Sequence, residues 1–242
     1  MSTSWLANRS KSLFITARAR AVSASNSISF SAAERETLRK IMLARRDMRH
    51  FLPNSTIDEE TLASLMEAAH SAPSVGLMQP WRFIHIRNEV LRENIAQLVM
   101  AEIQHTSEAM DERKSEFLNL KVEGVRDCAE LIVVVQAPDD GTIFGRRTMP
   151  EEMALCSTAC AIQNLWLATR AENLGMGWVS FFNPAELAQL LHCPEKARPI
   201  ALLCLGPVKE FYKKPMLIEA NWREGRELDT VLFNDKWPDG AE

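Results

Sequence analysis

Arg45-Arg46-Asp47-Met48-Arg49, joined further along by Ala72-Pro73-Ser74-Val75-Gly76-Leu77-Met78-Gln79-Pro80-Trp81, is the pair of stretches on which the reading of this chain turns. Three guanidiniums gathered around one carboxylate suit a phosphate, because each arginine presents a rigid fork of donors that matches phosphate oxygens. Taken alone, the cluster reads more readily as a solvated helix end in which Asp47 is an ion-pair partner. The second stretch is a turn of small residues running into a strand, and its lack of bulk lets backbone N–H groups approach a planar ligand closely.

Working outward, Ser31-Ala32-Ala33-Glu34 is a capping box, and the stripe Leu38, Ile41, Met42 carries its helix to the arginines. The cluster therefore sits at a helix C-terminus, where the dipole is negative, so an anion site there must come from side chains. A second helix is predicted from Asp58 to His70, with Leu62, Leu65, Met66 and Ala69 on one face, stopped by Ser71-Ala72-Pro73-Ser74. Trp81 to Arg87 alternates as a strand. Helical composition then dominates from Glu89 to about Arg126, with a charged run from Glu108 to Glu116 that reads as a solvated face or a mobile cover. Leu131-Ile132-Val133-Val134-Val135 is a strand buried on both sides.

Pro150 opens a long apolar helix through Ala159, Ile162, Leu165, Trp166 and Ala168, which must be central or lie at a subunit interface. Gly175 to Ser180 leads into a strand, Pro184 to His192 forms a short helix, and Ile200 to Leu205 is another buried strand. Beyond Gly206-Pro207 runs a polar tail whose anchors, Trp222 and Trp237, need a groove on this subunit or on a neighbour. The alternation predicts an α+β fold: one mixed, mostly antiparallel sheet flanked by helices, with a C-terminal arm. Without repeats or an interdomain linker, residues 31–242 read as a single domain.

Residues 1–30 carry Arg9, Lys11, Arg18 and Arg20, many serines and no acid, the composition either of a flexible extension or of an organelle transit peptide. A net charge of -4 gives no reason to expect nucleic acid or an anionic membrane as partner. No apolar run approaches the ~18 residues of a membrane span. The five cysteines form neither a paired CxxC set nor a secreted framework; they are expected to be buried structural thiols in a cytoplasmic protein, with no metal site.

Together with Gln163-Asn164-Leu165-Trp166, Gly177-Trp178-Val179-Ser180 and Leu203-Cys204-Leu205-Gly206, the two opening stretches resemble the signature of the nitroreductase-like flavoproteins. Asp47, where that superfamily usually carries Ser, and the Ala-Pro-Ser-Val-Gly-x-Met-Gln-Pro-Trp wording are similar to the 5,6-dimethylbenzimidazole synthases within it. The resemblance covers nearly everything from about residue 33 to 237. The long apolar helix and the Trp-bearing tail need more cover than one domain offers, which predicts a homodimer, with FMN at the subunit boundary. Arg45, Arg46 and Arg49, with Met48 between them, would grip the phosphate and ribityl chain. Ser74, Met78 and Gln79 would line the ring, Gly175, Gly177 and Trp178 would lie along the isoalloxazine, and His70 would point into the site. For Ser74 and His70 the residues themselves also allow plain helix-ending roles.

The same resemblance implies that FMNH2, supplied by a separate flavin reductase, is consumed with O2 as co-substrate, giving 5,6-dimethylbenzimidazole and erythrose 4-phosphate. Asp47 and Ser180 are then the expected catalytic pair. A carboxylate within hydrogen-bond reach of the ribityl chain serves as general base, and Ser180 orients it or donates to a ring oxygen. An NAD(P)H-dependent reductase of the same fold and a non-catalytic flavin binder are the alternatives. Two departures bear on them: Ala154 and Cys156 stand where the family pattern has an Asp and a Tyr, and the segment from Asp139 to Phe144 is trimmed and acidic. If the missing groups line the flavin cavity, substrate handling changes; if they only support a helix, little does.

Overall fold

The computed structural model describes residues 28–238. Four strands, β1 (Trp81–Ile86), β2 (Glu130–Gln136), β3 (Gly175–Val179) and β4 (Arg198–Gly206), form one sheet in the order β1-β2-β4-β3. All three pairings are antiparallel, with Phe83 opposite Val134, Ile132 opposite Leu203, and Trp178 opposite Leu203. The parallel element that makes the sheet mixed is a single bridge between Asp47 and Met176 at the β3 edge.

The inner strands are apolar on both sides because both faces are covered. Leu131, Val133, Val135, Leu202, Cys204 and Val179 meet α3 (Glu89–Glu108) and α6 (Pro184–Leu190) through Ile95, Val99 and Leu187. Ile132, Val134, Leu203, Leu205 and Met176 meet α2 (Glu59–His70) and α5 (Pro150–Ala171) through Leu65, Ile162 and Leu165. Each wholly buried Leu, Ile or Val side chain contributes about 1.5–3 kcal/mol, so these two layers hold the sheet firmly enough to position its corners. The expected run from Leu131 to Val135 is buried at every residue.

The capping box starts α1 (Ala32–Ala44): Glu34 N–H donates to Ser31 Oγ at 3.3 Å, and Ser31 N–H donates to Glu34 Oε2 at 2.7 Å. Its stripe is nevertheless uncovered. No residue of α1 is buried, and Leu43 is 70% exposed. The helix rests on α5 and presents Leu38 and Met42 outward.

Two expectations need correction. The helical stretch predicted to reach about Arg126 breaks at Glu108, resumes as the short α4 (Lys114–Leu118), and ends in turns. Asp111 adopts a left-handed backbone (φ 43°), and at Gly124 a Cβ would stand 2.6 Å from the Phe51 ring and 3.1 Å from the Arg49 carbonyl. The charged run here is a docked cover, because α4 buries Phe117 against Phe181 and Trp222. Buried thiols are found only at Cys128 and Cys204, while Cys156 and Cys160 face outward from α5. The basic extension lies, up to residue 27, outside the described residues.

The arm that follows β4 returns along the sheet edge and includes α7 (Met216–Glu219). Trp222 is its anchor: the Arg113 guanidinium stacks 3.5 Å from its ring centroid and also donates to its carbonyl at 3.1 Å. Trp237 packs on Phe233, with ring centroids 5.2 Å apart.

Candidate functional site

The predicted site residues gather at two diagonally opposite corners of the sheet. At the first, Arg45 caps α1 and the chain turns to run beside β3. Met48 N–H donates to the Met176 carbonyl at 2.9 Å, and Met48 is wholly buried, so its side chain belongs to the core. Asp47 Oδ1 accepts the Trp178 N–H at 3.0 Å, standing in for a backbone acceptor at the strand edge, and Oδ2 receives Arg49 Nη2 at 2.6 Å. Arg49 also donates from Nη2 to the Trp178 carbonyl at 2.8 Å and is itself buried.

Gly175 and Gly177 are explained by this crossing chain. A Cβ on Gly177 would stand 2.2 Å from the Met48 carbonyl and 2.5 Å from Arg49 Nη1; one on Gly175 would stand 2.5 Å from Val208 Cγ1. The missing side chains thus make room for Met48 and Arg49. Burial pushes the Asp47 carboxyl above its ordinary range, outweighing the Arg49 guanidinium and the Trp178 N–H, which favour the charged form. Ser180 lies just past β3, exposed, and both Asp47 oxygens already have partners other than its hydroxyl.

The three arginines are not equivalent. Arg46 is a staple: its Nε, Nη1 and Nη2 donate to the carbonyls of Tyr212, Leu43, Arg45 and Lys213 at 2.7–3.1 Å, leaving one of five N–H groups over. Arg45 lies over the Trp166 ring, 4.5 Å from its centroid, and is half-buried. Arg49 keeps Nε and Nη1 buried without a hydrogen-bond partner. Among the described residues no carboxylate lies within ion-pair distance of Arg45 or Arg46. This surplus of positive charge, with one carboxylate beside it, fits the phosphate end of a flavin mononucleotide. Arg45 and the remaining Arg46 donor are the groups open to it.

The second corner is built on the loop before β1. Ser74 Oγ accepts the Gln79 N–H at 3.1 Å, closing a turn over Val75–Leu77, and Val75 N–H donates to Ser157 Oγ of α5 at 3.2 Å. Gly76, Leu77 and Gln79 all have positive φ, and a Cβ on Gly76 would stand 2.7 Å from Thr142 Cγ2. Met78 Sδ accepts from Arg146 Nη1 at 3.4 Å; Arg146 is buried and pairs with Asp139 at 2.7 Å. A cleft of about 500 Å³ opens beside it, lined by Met78, Arg82, Arg146, Ala154 and Arg198. His70 Nδ1 accepts the Trp81 indole N–H at 3.2 Å, which ties the end of α2 to the start of β1. Leu77 and Phe144 are bare, 77% and 79% exposed.

From the level of Met176 to that of Trp81 is roughly 20 Å along the strands, and three strand spacings separate β3 from β1 by roughly 14 Å, so the corners stand about 25 Å apart. One chain therefore brings Arg45, Arg46, Asp47, Arg49 and Trp178 together and keeps Ser74, Met78 and Gln79 away from them. The sequence reading missed the remote partners that complete the first corner: Trp166, whose indole N–H donates to the Arg46 carbonyl at 3.2 Å, Arg170, which donates to the Ala44 carbonyl at 3.2 Å, and Tyr212. The only signal for Tyr212 was its being the one tyrosine in the chain.

Comparison with known proteins places this geometry. The model of the Nitroreductase family matches residues 42–207. A 5,6-dimethylbenzimidazole synthase of Rhodospirillum rubrum is 36% identical over 201 residues, covering 81% of this chain and 94% of that protein. One of Rhodobacter capsulatus is 37% identical, covering 81% and 96%. Among solved structures, a BluB-like flavoprotein of Clostridium difficile superposes with a TM-score of 0.63 at 20% identity, over 82% of this chain and 99% of the other, a likeness of fold.

Proposed function

The chain belongs to the nitroreductase family, and from that premise we propose that it is a 5,6-dimethylbenzimidazole synthase, cleaving reduced FMN with dioxygen and releasing erythrose 4-phosphate. The observation that carries this reading is a carboxylate, Asp47, held inside the arginine cluster of a chain that aligns along 94–96% of the length of two proteins bearing that name. Reduced flavin supplies the electrons and the carbon skeleton; the chain supplies grip, orientation and proton handling. Arg45 and Arg46 take the phosphate, and Arg49 holds Asp47 facing the ribityl chain. Burial raises the proton affinity of Asp47, which suits a group that must accept a proton from carbon and hand it on. Ser180, exposed at the end of β3, orients the ribityl end or the ring.

The second half of the site comes from a second copy. One flavin gripped at the arginine corner does not meet Ser74, Met78 and Gln79 of the same chain across about 25 Å of sheet. The bare stripe of α1 and the bare Leu77 and Phe144 supply apolar surface for a homodimer. A monomer mass by light scattering at micromolar concentration would count against it.

Incubating the purified protein with FMNH2 in air tests the reaction. Appearance of 5,6-dimethylbenzimidazole by mass is the expected result. Steady NAD(P)H consumption with the flavin left intact would replace this reading with a reductase.

A further inference from the structure

We infer that Tyr212 is a positioning residue that couples the C-terminal arm to the arginine corner and so sets its affinity for flavin phosphate. The inference rests on the flavin reading of that corner and names the group that holds it in shape.

The arm is tied to the corner at several points. Leu52 N–H donates to the Pro207 carbonyl at 2.9 Å, Arg46 donates to the Tyr212 and Lys213 carbonyls, and the Arg170 guanidinium lies 4.0 Å from the Phe211 ring centroid. All of these use the arm's backbone or an apolar ring. Tyr212 alone brings a side-chain hydroxyl, and it lands on Arg49, one half of the ion pair, and on the exposed His50 beside it. Its Oη accepts the Arg49 backbone N–H at 3.2 Å and lies 2.6 Å from His50 Nδ1, with the two rings edge to face at 6.0 Å.

The Arg49 N–H fills one acceptor position of the phenol oxygen, and the bond to His50 Nδ1, made in either tautomer of the histidine, holds the hydroxyl in its orientation. Burial pushes the phenol's pKa up, so the proton stays on oxygen at neutral pH. His50 thus turns the hydroxyl so that a lone pair faces Arg49. Without the hydroxyl, the Arg49 amide loses its acceptor, and such a group is costly to leave unpaired. The segment Asp47–His50 then moves toward solvent for a replacement, taking Arg49 Nη2 away from Asp47.

Tyr212→Phe keeps the ring and removes only the hydroxyl. Titrating oxidised FMN into the purified protein by flavin fluorescence is expected to show a Kd raised about tenfold (~1.4 kcal/mol), and kcat at saturating FMNH2 is expected to fall about tenfold as Asp47 loses Arg49. A role confined to stability would move the melting temperature and leave Kd and kcat of the folded protein unchanged. In an Arg49→Lys background the same change is expected to cost less than about twofold, because the geometry it protects is already lost. His50→Ala, which frees the hydroxyl to rotate, is expected to raise Kd about threefold, and it decides the matter should Tyr212→Phe fail to fold. An affinity within twofold of wild type in either single variant, or an undiminished effect beside Arg49→Lys, overturns the coupling. Wild-type protein with no affinity for FMN would instead overturn the flavin reading beneath it.

Discussion

The two corners of the sheet are built on opposite plans. The arginine corner is closed by its own chain: Met48 is wholly buried, Asp47 and Arg49 hold each other, and two missing side chains on β3 let the crossing backbone approach closely. The loop corner is open, with positive φ at Gly76, Leu77 and Gln79, a cleft of about 500 Å³, and Leu77 and Phe144 facing outward. The first corner holds a fixed geometry alone, whereas the second is a shaped surface still waiting for something to cover it. Under the proposed function, one corner grips an end of the ligand rigidly and a second copy would complete the other.

The largest break in this contrast is expected from Asp47→Asn. Asn keeps an oxygen for the Trp178 N–H and loses the charge, so flavin binding by fluorescence is retained while benzimidazole formation, followed by mass, falls roughly 10²–10⁴-fold. Turnover at the wild-type rate would remove Asp47 from the mechanism.

Next is Gly177→Ala. Its Cβ meets backbone that cannot move without opening the sheet edge, so a loss of ~3 kcal/mol in urea unfolding is expected. Gly76→Ala, at the open corner, meets the end of the Thr142 side chain and a left-handed φ of 59°, and is expected to cost only ~1–2 kcal/mol. Equal losses at the two glycines would erase the distinction between a closed and an open corner.

The smallest expected effect concerns pH. The Asp47 carboxyl titrates above its ordinary range in the folded chain because burial outweighs its charged partners. A group raised in this way favours the protonated form: its contribution to stability is complete below the ordinary aspartate range and is lost as pH rises through the raised value. Melting temperature is therefore expected to fall as pH rises through that window, and the step should vanish in Asp47→Asn. A step of the same size in both proteins would assign it to other groups.

What could be read from the residues follows the range of the forces that made each element. The capping box at Ser31 and Glu34, the buried run from Leu131 to Val135, and Pro150 opening α5 are local patterns, and all three stand in the structure. The end of α3 was not legible, because part of what redirects the chain afterwards is the Phe51 ring pressed on Gly124, a contact between distant segments. Sequence placed the arginines at one helix end but not the difference between them. Arg46 is spent on carbonyls of the arm, 166 positions away at Tyr212, and such bonds leave no periodicity behind. The glycines before Trp178 were read as lying along the isoalloxazine, and the crossing backbone at Met48 that packs against them leaves no local pattern.

The bridge from Asp47 to Met176 has one more effect. A strand at the margin of a sheet offers unpaired amides and carbonyls to any other extended chain. On β3 that margin is occupied by the very segment that carries the proposed phosphate grip. Keeping the molecule from polymerising through its own β-margin and keeping it competent for ligand thus depend on the same few residues.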